Sequence, residues 1–292
     1  MPVEILDNGV SAPAVTAVLM HGIGLGPWFW EPWFSLFAER GVLALALRMP
    51  GHGDGRENVS FQETLAACRE VVGDIPGPVA LVGHSMGGLV AQKLAEEREF
   101  HAIALTCPLP PGQVPVLPSR LALLGVPALL PALLTGRPLT IPWRDYRRLG
   151  LVRLTEADAR AAYAKIVAWP NRLARDLLRP PHVDVERVSS PVLVALGMQD
   201  ILVPWQRARL LGDLYEGVVW RYDDLGHNPP IEPGGGRMGR DVAGFVAEPF
   251  RPRVLESEGF TPEEGVGHQT RRKRRGEEMK KRSAYGQKES AR

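Results

Sequence analysis

The stretch Val79-Ala80-Leu81-Val82-Gly83-His84-Ser85-Met86-Gly87-Gly88 decides how this chain is read. Four aliphatic residues, apolar on both faces, suit a strand buried in a parallel sheet. A Gly-x-Ser-x-Gly turn follows, and a helix with small residues at its start follows that. A serine on so tight a turn is forced into a strained backbone conformation. Only glycine at Gly83 and Gly87 lets neighbouring segments approach without a Cβ clash. Ser85 is thereby raised above the sheet edge as a candidate nucleophile. The first N–H groups of the helix, that of Met86 in particular, aim at the place where negative charge would develop.

Working outward, the same rhythm extends over the first hundred residues. Aliphatic runs at Ala14–Met20, Val42–Leu47 and Ala102–Thr106 alternate with helical patterns at Glu31–Arg40, Ser60–Gly73 and Met86–Arg98. Ser60-Phe61-Gln62-Glu63 reads as a capping box at the start of the second helix. Strands alternating with helices imply right-handed crossovers and a parallel sheet covered on both sides.

The rhythm stops at Cys107. Residues 108–188 are rich in proline and leucine, with helical pieces at Thr155–Ala168 and Arg172–Leu178 and no convincing strand. It resumes with a strand at Pro191–Leu196, a helix near Trp205–Leu214, a strand at Val218–Tyr222 and a helix around Arg237–Val246. The expected organisation is an α/β core made of residues 1–107 and 189–250, interrupted by a helical insertion at 108–188. Residues 251–292 have hardly any large apolar side chain to bury, and the expectation there is a disordered basic tail.

Composition bounds the function. With 45% hydrophobic and 23% charged residues the body is that of a globular protein. The net charge of +2 hides an asymmetry: from Arg251 onward there are 12 Lys/Arg against 7 Asp/Glu, leaving 23 against 26 before it. A mildly acidic body argues against a nucleic-acid-binding face on the fold itself. The tail is a candidate contact for anionic surfaces or nucleic acid, with a dispensable solvated extension as the alternative. Cys68 and Cys107 have no CxxC spacing and are expected to be buried and inert. No His-x-His or His-Glu-x-x-His run suggests a metal site, so neither metal nor cofactor is expected. Met-Pro-Val-Glu-Ile-Leu-Asp lacks the basic start and apolar run of a signal peptide, which makes a cytoplasmic location the expectation.

A serine hydroxyl needs a base, and the base needs an orienting acid. Among seven histidines, His227 falls in Leu225-Gly226-His227-Asn228-Pro229, just after the strand Val218–Tyr222. That is the sheet edge that also carries Ser85. Asp200 lies in the loop Gly197-Met198-Gln199-Asp200, directly after the preceding strand; Asp223 and Asp224 are its rivals for the acid. Nucleophile, acid and base thus arrive in chain order at the edge where open parallel sheets place their sites. His268 falls in the tail, and His101 and His182 in polar boundary segments. His21 and His52 are expected to bond to loop backbone, and His84 to pack beside the site. Trp28, Trp30 and Trp33 read as core, with one of them a candidate for the pocket wall.

These motifs together resemble the α/β-hydrolase superfamily, in its serine esterase and lipase branch. The resemblance covers roughly residues 14–247. It implies an α/β-hydrolase fold: a mostly parallel central sheet flanked by helices, with the helical insertion as a cap. It also implies that His21-Gly22-Ile23-Gly24 is the oxyanion loop, so that the backbone N–H of Ile23 pairs with that of Met86. Arg48-Met49-Pro50-Gly51-His52-Gly53 is similar to the family's Pro-Gly-His-Gly turn. The sequence departs from the pattern in a shortened N-terminal hairpin, in an oxyanion loop that is not of the Gly-Gly-Gly type, and in the basic tail. An aspartate in place of Ser85 would have pointed to dehalogenases or epoxide hydrolases.

The expected activity is hydrolysis of a small-molecule ester through an acyl-enzyme on Ser85, His227 and Asp200, with a lipophilic monoester or monoacylglycerol as substrate. The lipophilic preference rests on Leu121–Leu134, read either as an apolar wall for an acyl chain or as cap core. Thioesterase, acyltransferase or carbon–carbon hydrolase chemistry on the same triad, and a non-catalytic binding role, are the alternatives.

Overall fold

The computed structural model describes residues 4–114 and 136–250. Leu121–Leu134 and the tail from Arg251 therefore lie outside the described residues. Seven strands form one sheet: β1 (Ile5–Asp7), β2 (Val15–Met20), β3 (Val42–Leu47), β4 (Val79–His84), β5 (Ala102–Thr106), β6 (Val192–Gly197) and β7 (Val218–Tyr222). Their order across the sheet is β1-β3-β2-β4-β5-β6-β7. Only β1 is antiparallel, with Ile5 opposite Leu47; every other neighbouring pair runs parallel. β2, β4, β5 and β6 are buried at every position, which is why they read as unbroken aliphatic runs.

The order has one reversal with a consequence for function. From β2 the chain steps to one side to make β3, then returns past β2 to make β4 on the other side. The loops leaving β2 and β4 therefore start from neighbouring strands at one sheet edge, the edge where open parallel sheets hold their sites. The segment after β2 begins with His21-Gly22-Ile23, and the segment after β4 begins with Ser85.

Helices cover both faces. On one side lie α1 (Phe34–Ala38) and a 3-10 stretch at Pro27–Trp33, where Phe29, Trp30, Trp33 and Phe37 are fully buried. The other side is covered by α2 (Phe61–Gly73) and α3 (Met86–Ala95), whose Leu65, Val72, Leu89 and Val90 pack on Val18, Leu81 and Ile103. The capping box of α2 is complete: Ser60 Oγ accepts from Glu63 N, and Glu63 Oε2 accepts from Ser60 N at 2.8 Å.

The insertion contributes α4 (Trp143–Leu149), α5 (Glu156–Tyr163) and α6 (Asn171–Leu177). These carry a small core of their own, with Ile141, Tyr146, Leu151 and Leu154 against Trp28 and Trp169. Asp176 Oδ2 accepts the N–H of Phe61 at 2.8 Å, so the insertion also caps α2. After β6 come α7 (Trp205–Ala208) and α8 (Leu210–Tyr215), and α9 (Gly235–Ala247) closes the described chain on the α1 side. Among the described residues, no helix is long and apolar enough to cross a membrane.

Several elements differ from expectation. The helix expected from Glu31 starts only at Phe34, because Pro32 lacks the N–H an α-turn needs and the preceding residues settle into 3-10 turns. The helix from Met86 ends at Ala95 rather than Arg98. There Glu97 N bonds to Leu94 O at 3.0 Å and tightens the last turn. The single helix expected near Trp205–Leu214 is two short ones broken at Arg209. β1 and α4 were not anticipated, and Leu139 and Trp169 form an isolated antiparallel bridge inside the insertion.

Candidate active site

Ser85 joins β4 to α3 with φ 51° and ψ −116°, a backbone conformation that side-chain-bearing residues rarely adopt. What enforces it is crowding. A Cβ on Gly83 would lie 2.6 Å from Gly88 Cα, and one on Gly87 would strike the Met20 carbonyl. The Ser85 carbonyl accepts from the N–H groups of Gly88, Leu89 and Leu109, at 3.0, 3.3 and 2.9 Å. The residue is locked by its backbone while its side chain stays partly exposed among buried neighbours.

The loop after β2 runs directly over this serine. A Cβ on Gly22 would come within 3.2 Å of Ser85 Cβ and 3.0 Å of the His84 ring. Leu25 N bonds to Gly22 O at 3.2 Å, which folds Ile23 and Gly24 into a turn. Neither the N–H of Ile23 nor that of Met86 donates a hydrogen bond to any described residue. The turn is pinned from behind, since His21 bonds through Nδ1 to Gly22 O at 2.8 Å and accepts Met49 N on Nε2 at 3.2 Å. His52 meets the ring of His21 edge-on at 4.8 Å, and its Nδ1 faces the carbonyls of Met49 and Pro50. Burial lowers the proton affinity of both rings, that of His52 to a pKa of about 4. They are neutral struts for the loop backbone.

Asp200 and His227 meet across the loops that leave β6 and β7. His227 Nδ1 lies 2.7 Å from Asp200 Oδ2, and both side chains are buried. The second carboxylate oxygen accepts from the N–H groups of Leu202 and Val203, at 2.8 and 2.9 Å, so the acid is held on both oxygens. The rivals do not reach the ring: Asp224 pairs with Arg237 at 2.6 Å, and Asp223 is exposed. The His227 ring packs 4.9 Å from the ring of His84, the residue before Ser85. His84 is itself buried against Phe29, with Nδ1 on Thr106 O, and burial pushes it well below the usual histidine range.

Of the tryptophans, Trp30 and Trp33 are core, whereas Trp28 is half-buried with Lys165 over its ring. Both cysteines are buried free thiols. Cys107 follows β5 with φ 43°, its sulfur between Gly197 N and Gly226 O, so it bridges the end of β6 to the histidine loop. Among the described residues, no group of three or more His, Cys, Asp or Glu could hold a metal ion.

Sequence reasoning missed the insertion's grip on the loop after β2, where Val167 N donates to Gly24 O at 2.9 Å. It also missed Glu232, buried beside His227. The only signal for Glu232 was an acid five residues past the histidine in a proline-rich turn, and burial cannot be read from that.

A family model described as the alpha/beta hydrolase family matches residues 17–236. The chain belongs to this family. Among curated proteins this hydrolase is 25% identical to one named "Putative carbamate hydrolase RutD" from Variovorax paradoxus (strain S110), over 87% of this chain and 99% of that protein. Among solved structures it is similar to a monoacylglycerol lipase of Paleococcus ferrophilus, with TM-score 0.65 and 19% identity over 85% of this chain and 99% of the other. An esterase of Exiguobacterium antarcticum superposes with TM-score 0.68 at 16% identity, covering 84% and 95% of the two chains. At such identities the likeness of the two structures is one of fold. The family's α/β-hydrolase architecture, expected from the motifs, is the architecture observed.

Proposed function

We propose that this hydrolase cleaves carboxylic esters through an acyl-enzyme, with Ser85 as nucleophile, His227 as general base and acid, and Asp200 as the orienting carboxylate. The observation that carries the reading is the placement of three loops at one sheet edge. Ser85 sits at a strained, glycine-walled turn, and the ring of His84 just before it packs 4.9 Å from the His227 ring that Asp200 holds. Asp200 on Nδ1 fixes the tautomer that leaves Nε2 free to take the serine proton, and stabilises the imidazolium that results. His227 then passes the proton to the leaving group, and water repeats the sequence to release the acid. The N–H of Met86, next to Ser85 in the chain, and that of Ile23, on the loop whose Gly22 lies against Ser85, are the donors for the tetrahedral oxyanion; losing one such donor typically costs about 100- to 1000-fold in turnover.

A lipophilic monoester or monoacylglycerol suits the apolar insertion, whose Tyr146, Leu151 and Leu154 cluster with Trp28 and Trp169 over the loop carrying Ile23. A p-nitrophenyl ester series from acetyl to dodecanoyl, with Ser85→Ala alongside, tests both parts. Turnover abolished in the variant and rising with chain length supports the reading. Equal turnover in the two proteins overturns the mechanism, and a maximum at acetyl overturns the lipophilic preference. A carbamate and a thioester belong in the panel, because the same acyl-transfer machinery serves them and one relative is named for a carbamate.

A further inference from the structure

The histidine loop is held by a buried carboxylate that no step above uses. Glu232 Oε2 accepts the N–H of Gly226 at 2.5 Å, and Oε1 accepts the N–H of Asn228 at 2.9 Å. The two donors flank His227, so a single side chain grips the backbone on either side of the candidate base. Gly226 has no Cβ for a reason: one there would lie 2.9 Å from Glu232 Oε1. Other groups complete the clamp. Cys107 Sγ–H donates to the Gly226 carbonyl at 3.4 Å, and Asn228 Nδ2 donates to Gly150 O at 2.6 Å, tying the loop to the end of α4.

We propose that Glu232 is a positioning residue for His227, fixing the histidine loop through Gly226 N and Asn228 N while its negative charge favours the imidazolium formed during turnover. The proposal rests on the serine-hydrolase reading above. The physical argument has two parts. First, a backbone pinned at both neighbours leaves the imidazole little freedom but rotation about its own side-chain bonds, and Asp200 removes that. Second, the carboxylate is only 7% exposed, so its field reaches the ring through protein rather than water. The other titratable groups facing this cluster are Asp200 on Nδ1, the neutral ring of His84, the buried Cys107 thiol and the stem of Arg153 beside Gly226. Of these, only Asp200 brings negative charge beside that of Glu232. Burial raises the Glu232 carboxyl above its ordinary range, opposed by the two N–H groups and by His227.

The test compares wild type, Glu232→Gln, Glu232→Asp and Ser85→Ala as full-length chains, by ester kinetics against pH and by hydrogen exchange of the loop around His227. A glutamine keeps the shape but presents one NH₂ to a backbone donor and carries no charge. Leaving a buried donor without an acceptor corresponds to a loss of about 10- to 100-fold. The expected result is kcat lowered by about that factor with KM within about twofold. Loop exchange is faster, and the acidic limb of kcat/KM moves to lower pH. Glu232→Asp, which restores the charge, returns that limb toward its wild-type position. An unchanged kcat and limb in Glu232→Gln overturn the proposal, as does a loss that tracks only a general fall in melting temperature. A wild type whose turnover survives Ser85→Ala overturns the serine reading instead, and the proposal with it.

Discussion

Val167 donates its backbone N–H to the carbonyl of Gly24 at 2.9 Å, joining the insertion to the loop that passes over Ser85. Beside this bond the Trp169 indole lies against Gly24, whose φ of 78° already favours glycine. An alanine at Gly24 would bring its Cβ 2.6 Å from Trp169 Cδ1. Gly24→Ala is therefore expected to cost about 2 kcal/mol through strain and displacement, or roughly 4–8 °C in Tm. It should also lower kcat by an order of magnitude or more, because the same shift moves Ile23. Thermal melting and ester kinetics on the variant check both. A drop in Tm with full turnover would show that the junction is structural only.

Ser85 holds its backbone at a cost. A non-glycine residue at such dihedrals stores roughly 1–3 kcal/mol, which the crowded Gly83 and Gly87 positions impose. Ser85→Gly removes the side chain responsible, so it is expected to melt higher than wild type while losing turnover. Ser85→Ala loses turnover without that gain. Calorimetry of the three proteins reads the difference, and equal melting temperatures for glycine and alanine would deny the strain.

How much of this was legible follows from how local each cause is. The elbow at Ser85, the glycines around it and the capping box of α2 depend on neighbours a few residues apart, and they stand as read. Asp200 and His227 could be named as candidates because each follows a strand and strand ends share an edge, and their side chains meet there at 2.7 Å. The three residues of β1 have no pattern of their own; only pairing with Leu45–Leu47 makes them a strand. Glu232 and Trp169 look like ordinary loop residues until the fold buries one and lays the other on Gly24. Such relationships are tertiary, and no window of sequence contains them.

His21, His52 and His84 are buried with their proton affinity lowered, in each case chiefly by burial. A histidine depressed in the folded state takes up its proton more readily when unfolded, so stability falls as pH drops below about 6.5. For His52 the decline continues until the pH nears about 4. Each such ring contributes up to about 1.4 kcal/mol per pH unit across its window. Melting temperature should thus be level above pH 7 and fall steadily from pH 6.5 to 4.5. His52→Asn, whose amide can still donate to Met49 and Pro50 carbonyls, should make that fall shallower. A variant as steep as wild type would exclude His52 as a source.

Asp200 divides its two oxygens between two tasks, and substitution can separate them. Oδ1 caps Leu202 N and Val203 N, while Oδ2 holds His227 Nδ1. In Asp200→Asn the amide oxygen can still cap the turn, so the fold and Tm should hardly change. Its NH₂ then faces Nδ1 and selects the tautomer with the proton on Nε2, which cannot accept another from Ser85. By the behaviour of such triads, turnover should fall about 10⁴-fold. Asp200→Ala abolishes turnover to a similar degree but also strands two N–H donors, costing a further ~1–3 kcal/mol of stability. Kinetics and melting on the pair therefore give matched activities and different stabilities if Asp200 serves both tasks. Near-wild-type turnover in Asp200→Asn would instead move the acid to another residue.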